Sequence, residues 1–385
     1  MIYLDAAATA KYKNVDDIIV DVMTTAMKDS WMNPSSLYAA NIKDKINKCR
    51  SNIAKFIGAQ ANEIYFTSGA SESNNWAIRG WVDWWLFDRY KRVNVITTPI
   101  EHKSILETIN CHSSNVITQY CLVDEYGRVD CEDLELLLKI CNNDKEPILV
   151  SVGMANNEVG TIQDIKKVAD LVHKYGGILH VDATQCFGHI PIDVEKLSID
   201  MLSASGHKIS PVLRGVGFLY KRNNVRIQPL IYGMQENQMR GGTENTYGII
   251  GLNKALEYCD VSQNAINVLS NKRDYFIDGL GFKFGCILNG DDIDRLPNNI
   301  NVTFPQKITG EALLYMLDIS GIKCSVGSSC NSNSYEPSHV LTAIGLTSEQ
   351  TMRTVRFTLP DDITYVEIDK VIDEIDKAIK LIEAN

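Results

Sequence analysis

The sequence predicts an α/β protein whose largely parallel sheet is covered by helices on both faces, followed by a smaller α+β unit. Over roughly the first 260 residues, short runs rich in Ile, Val and Leu alternate with segments that carry apolar residues at helical spacing. Beyond that point the regular alternation of strand-like and helical segments ends, and the smaller unit begins. A chain of 385 residues is long enough for two domains.

The strand-like runs of the first part are each followed by a small-residue turn or a helix. They are EIYFT (63–67), NVIT (94–97), PILVSV (147–152), ILHVDA (178–183), IDMLSA (199–204) and GVGFLY (215–220). Residues 164–175 carry apolar side chains on one face of a predicted helix, which Gly176 and Gly177 end.

The smaller unit has three strand-like runs of its own. They are NNINVTF (298–304), GIKCSV (321–326) and TVRFTL (354–359). The segment from Thr364 to the end has apolar residues at helical spacing between charges, which predicts an amphipathic closing helix. We therefore expect a large domain over residues 15–260 and a small domain built from residues 1–14 and 261–385.

Composition limits the partners and the compartment. The net charge of −10 argues against nucleic acid or an anionic membrane as the main partner, since neutralising phosphates needs a basic face. No apolar run is long enough to span a bilayer, and the N-terminus lacks a signal-peptide core, so we expect a cytoplasmic protein. The ten cysteines are dispersed without a CxxC pair, which predicts mostly reduced thiols and no metal site.

The candidate functional residues lie where predicted strands end, as is typical of open α/β sheets. SGAS (68–71) opens a helix and offers backbone N–H groups to an anion such as phosphate. His102 follows a strand. Asp182 ends a markedly apolar strand, where a carboxylate needs a cationic partner. Lys208 ends SASGHK (203–208), and a buried lysine loses its proton more easily, as a Schiff-base nucleophile must.

Each of these signals has a simpler structural explanation: a helix cap, a structural histidine or an ordinary ion pair. Together they form a more specific set. An anion cradle, a ring-stacking histidine, a carboxylate and a Schiff-base lysine are the groups that pyridoxal phosphate requires of a protein.

Cys330 lies within SVGSSCNSNSYEPSHVL (325–341), where small and polar residues stand on both sides of the thiol. Such a segment has little to bury and is free to move. It is well suited to carrying a group between two sites, although a surface loop that happens to contain a cysteine is the simpler explanation.

The chain resembles the cysteine desulfurases of the NifS-like, longer-loop group, which belong to the class V aminotransferase superfamily of fold type I pyridoxal phosphate enzymes. Ten motifs in order carry the resemblance. They are YLDAAAT (3–9), NPSS (33–36), FTSGASES (66–73), EHKSIL (101–106), NNEVGTIQDI (156–165), HVDATQ (180–185), SGHK (205–208), RGGTEN (240–245), SSCNSNSYEPSHVL (328–341) and VRF (355–357). The resemblance implies a mostly parallel seven-stranded sheet in the large domain and a homodimer.

It also implies roles for the residues that hold the cofactor. Lys208 should bind pyridoxal 5'-phosphate covalently, Asp182 should pair with the ring nitrogen, and Gln185 should bond the ring hydroxyl. His102 should stack on the ring and act as an acid and base. The remaining cofactor contacts are Ala70, Ser71, Ser205, His207 and Asn157, with Thr243 reaching the phosphate of the neighbouring subunit.

The resemblance implies a reaction as well. Asn157 and Arg356 should hold the substrate carboxylate, which an arginine fork suits. L-Cysteine would become L-alanine, and Cys330, on the small-domain loop 325–337, would receive the sulfur as a persulfide for delivery to a protein acceptor. Iron–sulfur scaffolds, tRNA thiolation and DNA modification all remain open as destinations.

Other functions are compatible with the same residues. A selenocysteine lyase, another class V aminotransferase or lyase, and a degenerate sulfur-transfer scaffold are the alternatives. The chain also departs from the family pattern in ISPVLRGVG (209–217), which is one residue longer, at Pro360 and Asp361, and at Tyr38, where histidine is common. These departures concern the rim of the site and the rate rather than the bond-making groups.

Overall fold

The structure of the chain is a computed structural model. It describes residues 1–11, 15–28, 32–87, 92–110, 115–143, 145–326 and 337–384. The strands are β1 Ile2–Tyr3, β2 Ile64–Thr67, β3 Val93–Thr97, β4 Val116–Tyr120, β5 Ile148–Gly153, β6 Ile178–Asp182, β7 Met201–Ser205, β8 Gly217–Lys221, β9 Ile287–Leu288, β10 Asn299–Thr303, β11 Ile322–Lys323 and β12 Thr354–Thr358.

The helices surround and connect these strands. They are α1 Val15–Met27, α2 Ala40–Phe56, α3 Ala70–Leu86, α4 Lys103–Asn110, α5 Cys131–Asn143, α6 Ile165–Lys174, α7 Gln235–Gln238, α8 Thr246–Leu256, α9 Gln263–Phe284, α10 Gly310–Ile319, α11 His339–Ala343, α12 Ser348–Met352 and α13 Tyr365–Glu383. α7 is a single turn in which Glu236, Asn237 and Gln238 have positive φ. None of the described helices is long and apolar enough to cross a membrane.

The large sheet has seven strands in the order β2-β8-β7-β6-β5-β3-β4. Strands β3 to β7 pair in parallel, and β8 runs antiparallel to both β2 and β7. The predicted mostly parallel seven-stranded sheet is therefore confirmed. The prediction missed β4, an edge strand whose residues are half-buried or exposed, because an edge strand lacks the uniformly apolar run of a central one.

Alternate residues of the central strands face two separate apolar layers. Val95, Leu149 and Met201 pack with Trp76 and Trp81 of α3 on one face. On the other face, Ile96, Val150 and Leu202 belong to a second cluster together with residues of α2, α5, α6 and α8. This alternation follows the two-residue period of a strand and confirms that helices cover both faces.

A third apolar core lies in the later part of the chain. The antiparallel sheet β12-β10-β9 and the parallel pair β1-β11 pack with α9, α10 and α13 around it. Ile2 and Leu4 belong to this core, so the N-terminal strand joins the C-terminal third of the chain. The division into a large domain and a small domain built from both ends, with its boundaries, stays a prediction.

One segment of the large sheet's periphery is tied directly to the smaller unit. The Glu158 carbonyl accepts hydrogen bonds from Asn299 Nδ2 (3.2 Å) and Asn301 Nδ2 (3.1 Å). The Ile162 N–H donates to the Asp294 carbonyl at 2.8 Å. These contacts bring residues 156–163 against β10, so the carboxyl ends of the large sheet face the smaller unit.

Candidate active site

A cavity of about 650 Å³ lies at the carboxyl ends of the parallel strands. Most of the predicted site residues line it. They are Ala70, Ser71, His102, Asn157, Asp182, Gln185, Ser205, His207, Lys208 and Arg356. The large sheet thus brings together groups that are separated by as many as 286 residues in the chain, from Ala70 to Arg356.

The anion cradle forms at the start of α3. Gly69, with φ 153°, precedes the helix, and the first N–H groups of a helix have no acceptor within it. A Cβ atom on Gly217 would stand 2.7 Å from the Gly69 Cα, so β8 lies directly against this turn. Ser205 and His207 line the same cavity, with Ser205 Oγ 2.8 Å from His207 Nδ1. Burial, reinforced by the Lys208 and Arg214 charges, lowers the pKa of His207 to about 4.

Lys208 follows β7 in a short 3-10 turn, and its amine is held by the N-terminal segment. Nζ donates to the Ala7 carbonyl at 2.5 Å and to the Ala8 carbonyl at 3.1 Å. Gln185 Nε2 donates to the same Ala7 carbonyl at 3.3 Å. Sequence reasoning missed these acceptors because backbone carbonyls carry no residue-type signal.

The Asp182 carboxylate is buried at the end of β6, and its two oxygens have different donors. The Thr184 N–H donates to Oδ1 at 3.0 Å, and Asn74 Nδ2 donates to Oδ2 at 2.7 Å. Asn74 is fully buried in α3 and was not singled out from the sequence. Its position in ASESNN, one helical turn after the anion cradle, is the sequence feature that could have indicated a place near the cavity.

His102 caps α4 with its own side chain. The Ser104 N–H lies 3.1 Å from His102 Nδ1, and Ser104 Oγ lies 2.8 Å from the same nitrogen. Desolvation by the surrounding protein lowers the pKa of His102, against the opposing charge of Asp182, although the residue is exposed where it lines the cavity. This combination favours a neutral imidazole near pH 7.

Arg356 projects from β12 into the same cavity. Nη2 pairs with Asp5 Oδ1 at 2.7 Å, and Nη1 donates to the Asn157 carbonyl at 3.1 Å. Nε is buried and has no acceptor among the described residues. Arg356 lines the cavity, and a guanidinium in a cavity wall is suited to an incoming carboxylate.

Two further side chains beside the cavity were missed as functional candidates. His339 Nε2 lies 3.0 Å from the Glu101 carbonyl, so this nitrogen must carry the proton and donate. The Glu101 side chain accepts from Thr98 Oγ1 at 2.6 Å, and burial raises its pKa to about 8. Both residues stand in the recognised motifs, at positions to which the resemblance assigned no role.

Two predicted site residues are not part of this cavity's described lining. Cys330 lies outside the described residues. Thr243 is exposed and does not line the cavity, so its expected contact with a neighbouring subunit stays a prediction. The eight cysteines within the described ranges form no disulfide, and no three His, Cys, Asp or Glu side chains there form a group that could hold a metal ion.

The fold and this cavity define a member of the aminotransferase class-V family. The family profile matches residues 2–371, so the chain belongs to it. A cysteine desulfurase IscS of Methanosarcina thermophila is 40% identical over 384 residues, covering 98% of this chain and 92% of that protein. A solved NifS-like protein matches with 33% identity, a TM-score of 0.87 and full coverage of both chains. SspA, solved in complex with cysteine, matches with 33% identity and a TM-score of 0.80 over 94% of this chain and 99% of its own.

Proposed function

We propose that the protein is a pyridoxal phosphate-dependent cysteine desulfurase, which converts L-cysteine to L-alanine and takes the sulfur onto Cys330. The observation that carries this proposal is the cavity that gathers Lys208, Asp182, His102 and Arg356. Full-length relatives named cysteine desulfurase, at 40% and 41% identity, support the same activity.

The cavity fits pyridoxal phosphate by the chemistry of its donors. The free N–H groups at Ala70 and Ser71, with Ser205, suit the phosphate. The buried Asp182 carboxylate, held by two N–H donors, suits a protonated ring nitrogen, and Gln185 suits the ring hydroxyl. The Lys208 amine would hold the aldehyde carbon. When bound, this cofactor supplies an electron sink for the bonds at the substrate's α-carbon.

The substrate would be held by its carboxylate. Arg356 lines the cavity, while the Asp5 carboxylate and the Asn157 carbonyl fix two nitrogens of its guanidinium. Because these two contacts hold the plane of the guanidinium, the carboxylate would meet a preoriented donor. Asn157 also lines the cavity and would complete the proposed carboxylate site.

Cys330 would then take the sulfur. A bond forms between its thiolate and the substrate sulfur as the substrate's Cβ–S bond breaks, and the carbon skeleton leaves as alanine after protonation. Two cysteines in the described part of the chain are less suited to this role, because burial raises the pKa of the Cys324 thiol to about 12 and that of Cys49 to about 11.

The setting of the reaction follows from the same proposal. The enzyme would act in the cytoplasm as a homodimer in which Thr243 approaches the partner's cofactor. The small domain would carry the Cys330 loop and present the persulfide to a protein acceptor. Iron–sulfur cluster assembly is the destination that the IscS name of its relatives favours.

The test compares sulfide and alanine formation from L-cysteine in the wild type and three variants. The Cys330→Ala variant should stay yellow but lose sulfide release. The Lys208→Ala variant should lose both the yellow colour and sulfide release. Cys286→Ala is the matched control, a thiol of the smaller unit that does not line the cavity. Sulfide release at the wild-type rate by Cys330→Ala, or transamination of a 2-oxo acid without sulfide release by the wild type, would contradict the proposal.

A further inference from the structure

A continuous chain of hydrogen bonds joins Asp182 to His102 through two side chains without an assigned role. Asn74 Nδ2 lies 2.7 Å from Asp182 Oδ2 and 2.9 Å from Ser104 Oγ. Ser104 Oγ in turn lies 2.8 Å from His102 Nδ1. The relay therefore connects the end of β6 with α3 and with the start of α4, along the lining of the cavity.

The chemistry of these groups gives the relay one direction. A carboxylate only accepts, so the amide nitrogen of Asn74 must face Asp182. Its second hydrogen is directed at Ser104 Oγ, which leaves the hydroxyl hydrogen of Ser104 for His102 Nδ1. The backbone N–H of Ser104 also donates to Nδ1, at 3.1 Å. With two donors facing it, Nδ1 is unprotonated.

The orientation of the Asn74 amide supports this direction. Its Oδ1 is buried and has no donor among the described residues. Turning the amide over would place that oxygen against the Asp182 carboxylate, where two acceptors would repel. The amide is thus held by its two acceptors even though its own oxygen is left without a donor, which is costly inside a protein.

We propose, building on the function above, that Ser104 and Asn74 are positioning residues that hold neutral His102 as its Nε2–H tautomer. In this form the ring carries the hydrogen at Nε2, which can act only as a hydrogen-bond donor. It cannot accept a proton at that nitrogen, so the relay restricts the acid and base role expected of His102. The hydrogen bond made by one ring nitrogen fixes the protonation of the other.

The charged and titratable groups around His102 also influence whether its ring is neutral. Lys103 lies on α4 next to His102, Lys208 follows β7, and His339 begins α11. All three disfavour a positive charge on the His102 ring. Asp182 at the end of β6 favours it. Glu101, the preceding residue, is held neutral near pH 7 because burial raises its pKa to about 8. Desolvation by the surrounding protein is the largest influence on the pKa of His102; it lowers that pKa and favours the neutral ring, although the residue is exposed to the cavity.

The direct test is nitrogen NMR of the cofactor-loaded enzyme labelled with ¹⁵N-histidine. The His102 signals are assigned by their loss in a His102→Asn variant. In the wild type, Nδ1 should have the shift of an unprotonated nitrogen and Nε2 that of a protonated one. Ser104→Ala should give a mixture of tautomers, and Ser104→Thr should restore the wild-type pattern because it keeps the hydroxyl.

Kinetics give a second readout. Ser104→Ala should lower kcat/KM for L-cysteine about three- to ten-fold, the loss expected for one hydrogen bond. Losing a donor to Nδ1 destabilises the neutral ring, so the acidic limb of the pH profile should move to higher pH. Asn74→Ala should also give a mixture of His102 tautomers, since it removes the donor that orients the Ser104 hydroxyl.

Thr108→Ala is the matched control. Its hydroxyl lies on the same helix and donates to the Ser104 carbonyl at 2.8 Å, away from the His102 ring. This variant should leave both the tautomer and the pH profile unchanged. A protonated Nδ1 in the wild type would overturn the proposal without any variant, and so would unchanged signals and an unchanged pH profile in a folded Ser104→Ala enzyme.

The tautomer measurement needs no turnover, so the two proposals fail separately. A wild type that releases no sulfide yet shows unprotonated Nδ1 would overturn the proposed function and support the relay. A wild type that is active with a protonated Nδ1 would overturn the relay alone.

Discussion

Asp5 Oδ1 lies 2.7 Å from Nη2 of Arg356, in an ion pair that joins the N-terminal segment to β12 at the edge of the cavity. The Arg356 side chain is 3% exposed and that of Asp5 is 21% exposed. The pair therefore holds a buried guanidinium in place in the wall of the cavity. A residue near the start of the chain thus helps to form a site whose other members lie far along it.

Removing Asp5 should destabilise the protein. The Asp5→Ala variant leaves Arg356 buried without its counter-charge, and we expect a loss of about 3 kcal/mol in the free energy of unfolding. Urea denaturation of the two proteins measures it. The exposed pair Lys283–Asp373 provides the control, since Asp373→Ala should cost less than about 1 kcal/mol. Equal effects of the two substitutions would contradict the structural role of Asp5.

Arg356→Lys should weaken substrate binding. Lysine keeps the charge but cannot offer a fixed planar edge to a carboxylate, so KM for L-cysteine should rise about 10- to 100-fold. Steady-state kinetics give the value, with Arg353→Lys, which lies outside the cavity lining on the same segment, as the control. An unchanged KM would show that the carboxylate binds elsewhere.

Glu101 should make stability depend on pH. Its folded-state pKa is raised to about 8, so its contribution to stability is complete below the ordinary value of 4.5 and is lost as pH rises through about 8. Glu101→Gln resembles the neutral acid at every pH. The wild type should therefore lose more unfolding free energy than this variant between about pH 5 and about pH 9. Parallel stability curves for the two proteins would show that Glu101 is not held neutral.

Gly217→Ala should disturb the anion cradle. The added methyl group would stand 2.5 Å from the Ala204 carbonyl and 2.7 Å from the Gly69 Cα, so the turn before α3 must shift. We expect a loss of about 1–3 kcal/mol in stability and weaker retention of the yellow cofactor during dialysis. Gly281→Ala, where a methyl group meets nothing within 4 Å in α9, should instead stabilise the protein by about 0.5–1 kcal/mol. Full cofactor retention in Gly217→Ala would contradict this account of the cradle.

The sequence predicted the large sheet well because buried central strands are short, apolar and separated by helices. The helix predicted at 164–175 is α6, Ile165–Lys174, which begins at the Asp164 cap and ends before the predicted glycines. The sequence did not predict the edge strand β4, because its residues are half-buried or exposed and do not form a uniformly apolar run. GIKCSV (321–326) forms only the two-residue β11, since its pairing partner β1 is itself two residues long.

The site was predicted residue by residue only where side-chain type carries the chemistry. Lys208, Asp182 and Arg356 could be found in this way, and they meet in one cavity. The Ala7 and Ala8 carbonyls could not be found, because a backbone acceptor has no sequence signature. Asn74 and Ser104 were also missed, because residue type alone does not show that an amide and a hydroxyl have a role. Their role is visible only from the hydrogen bonds that join Asp182 to His102.

Mass spectrometry of the enzyme after brief exposure to L-cysteine tests the central claim most directly. The account predicts that the peptide containing Cys330 gains the mass of one sulfur atom, that a reductant removes it, and that the Lys208→Ala variant never acquires it. Sulfide release by a wild type whose Cys330 peptide stays unmodified, or a gain on Cys324 instead, would contradict the account.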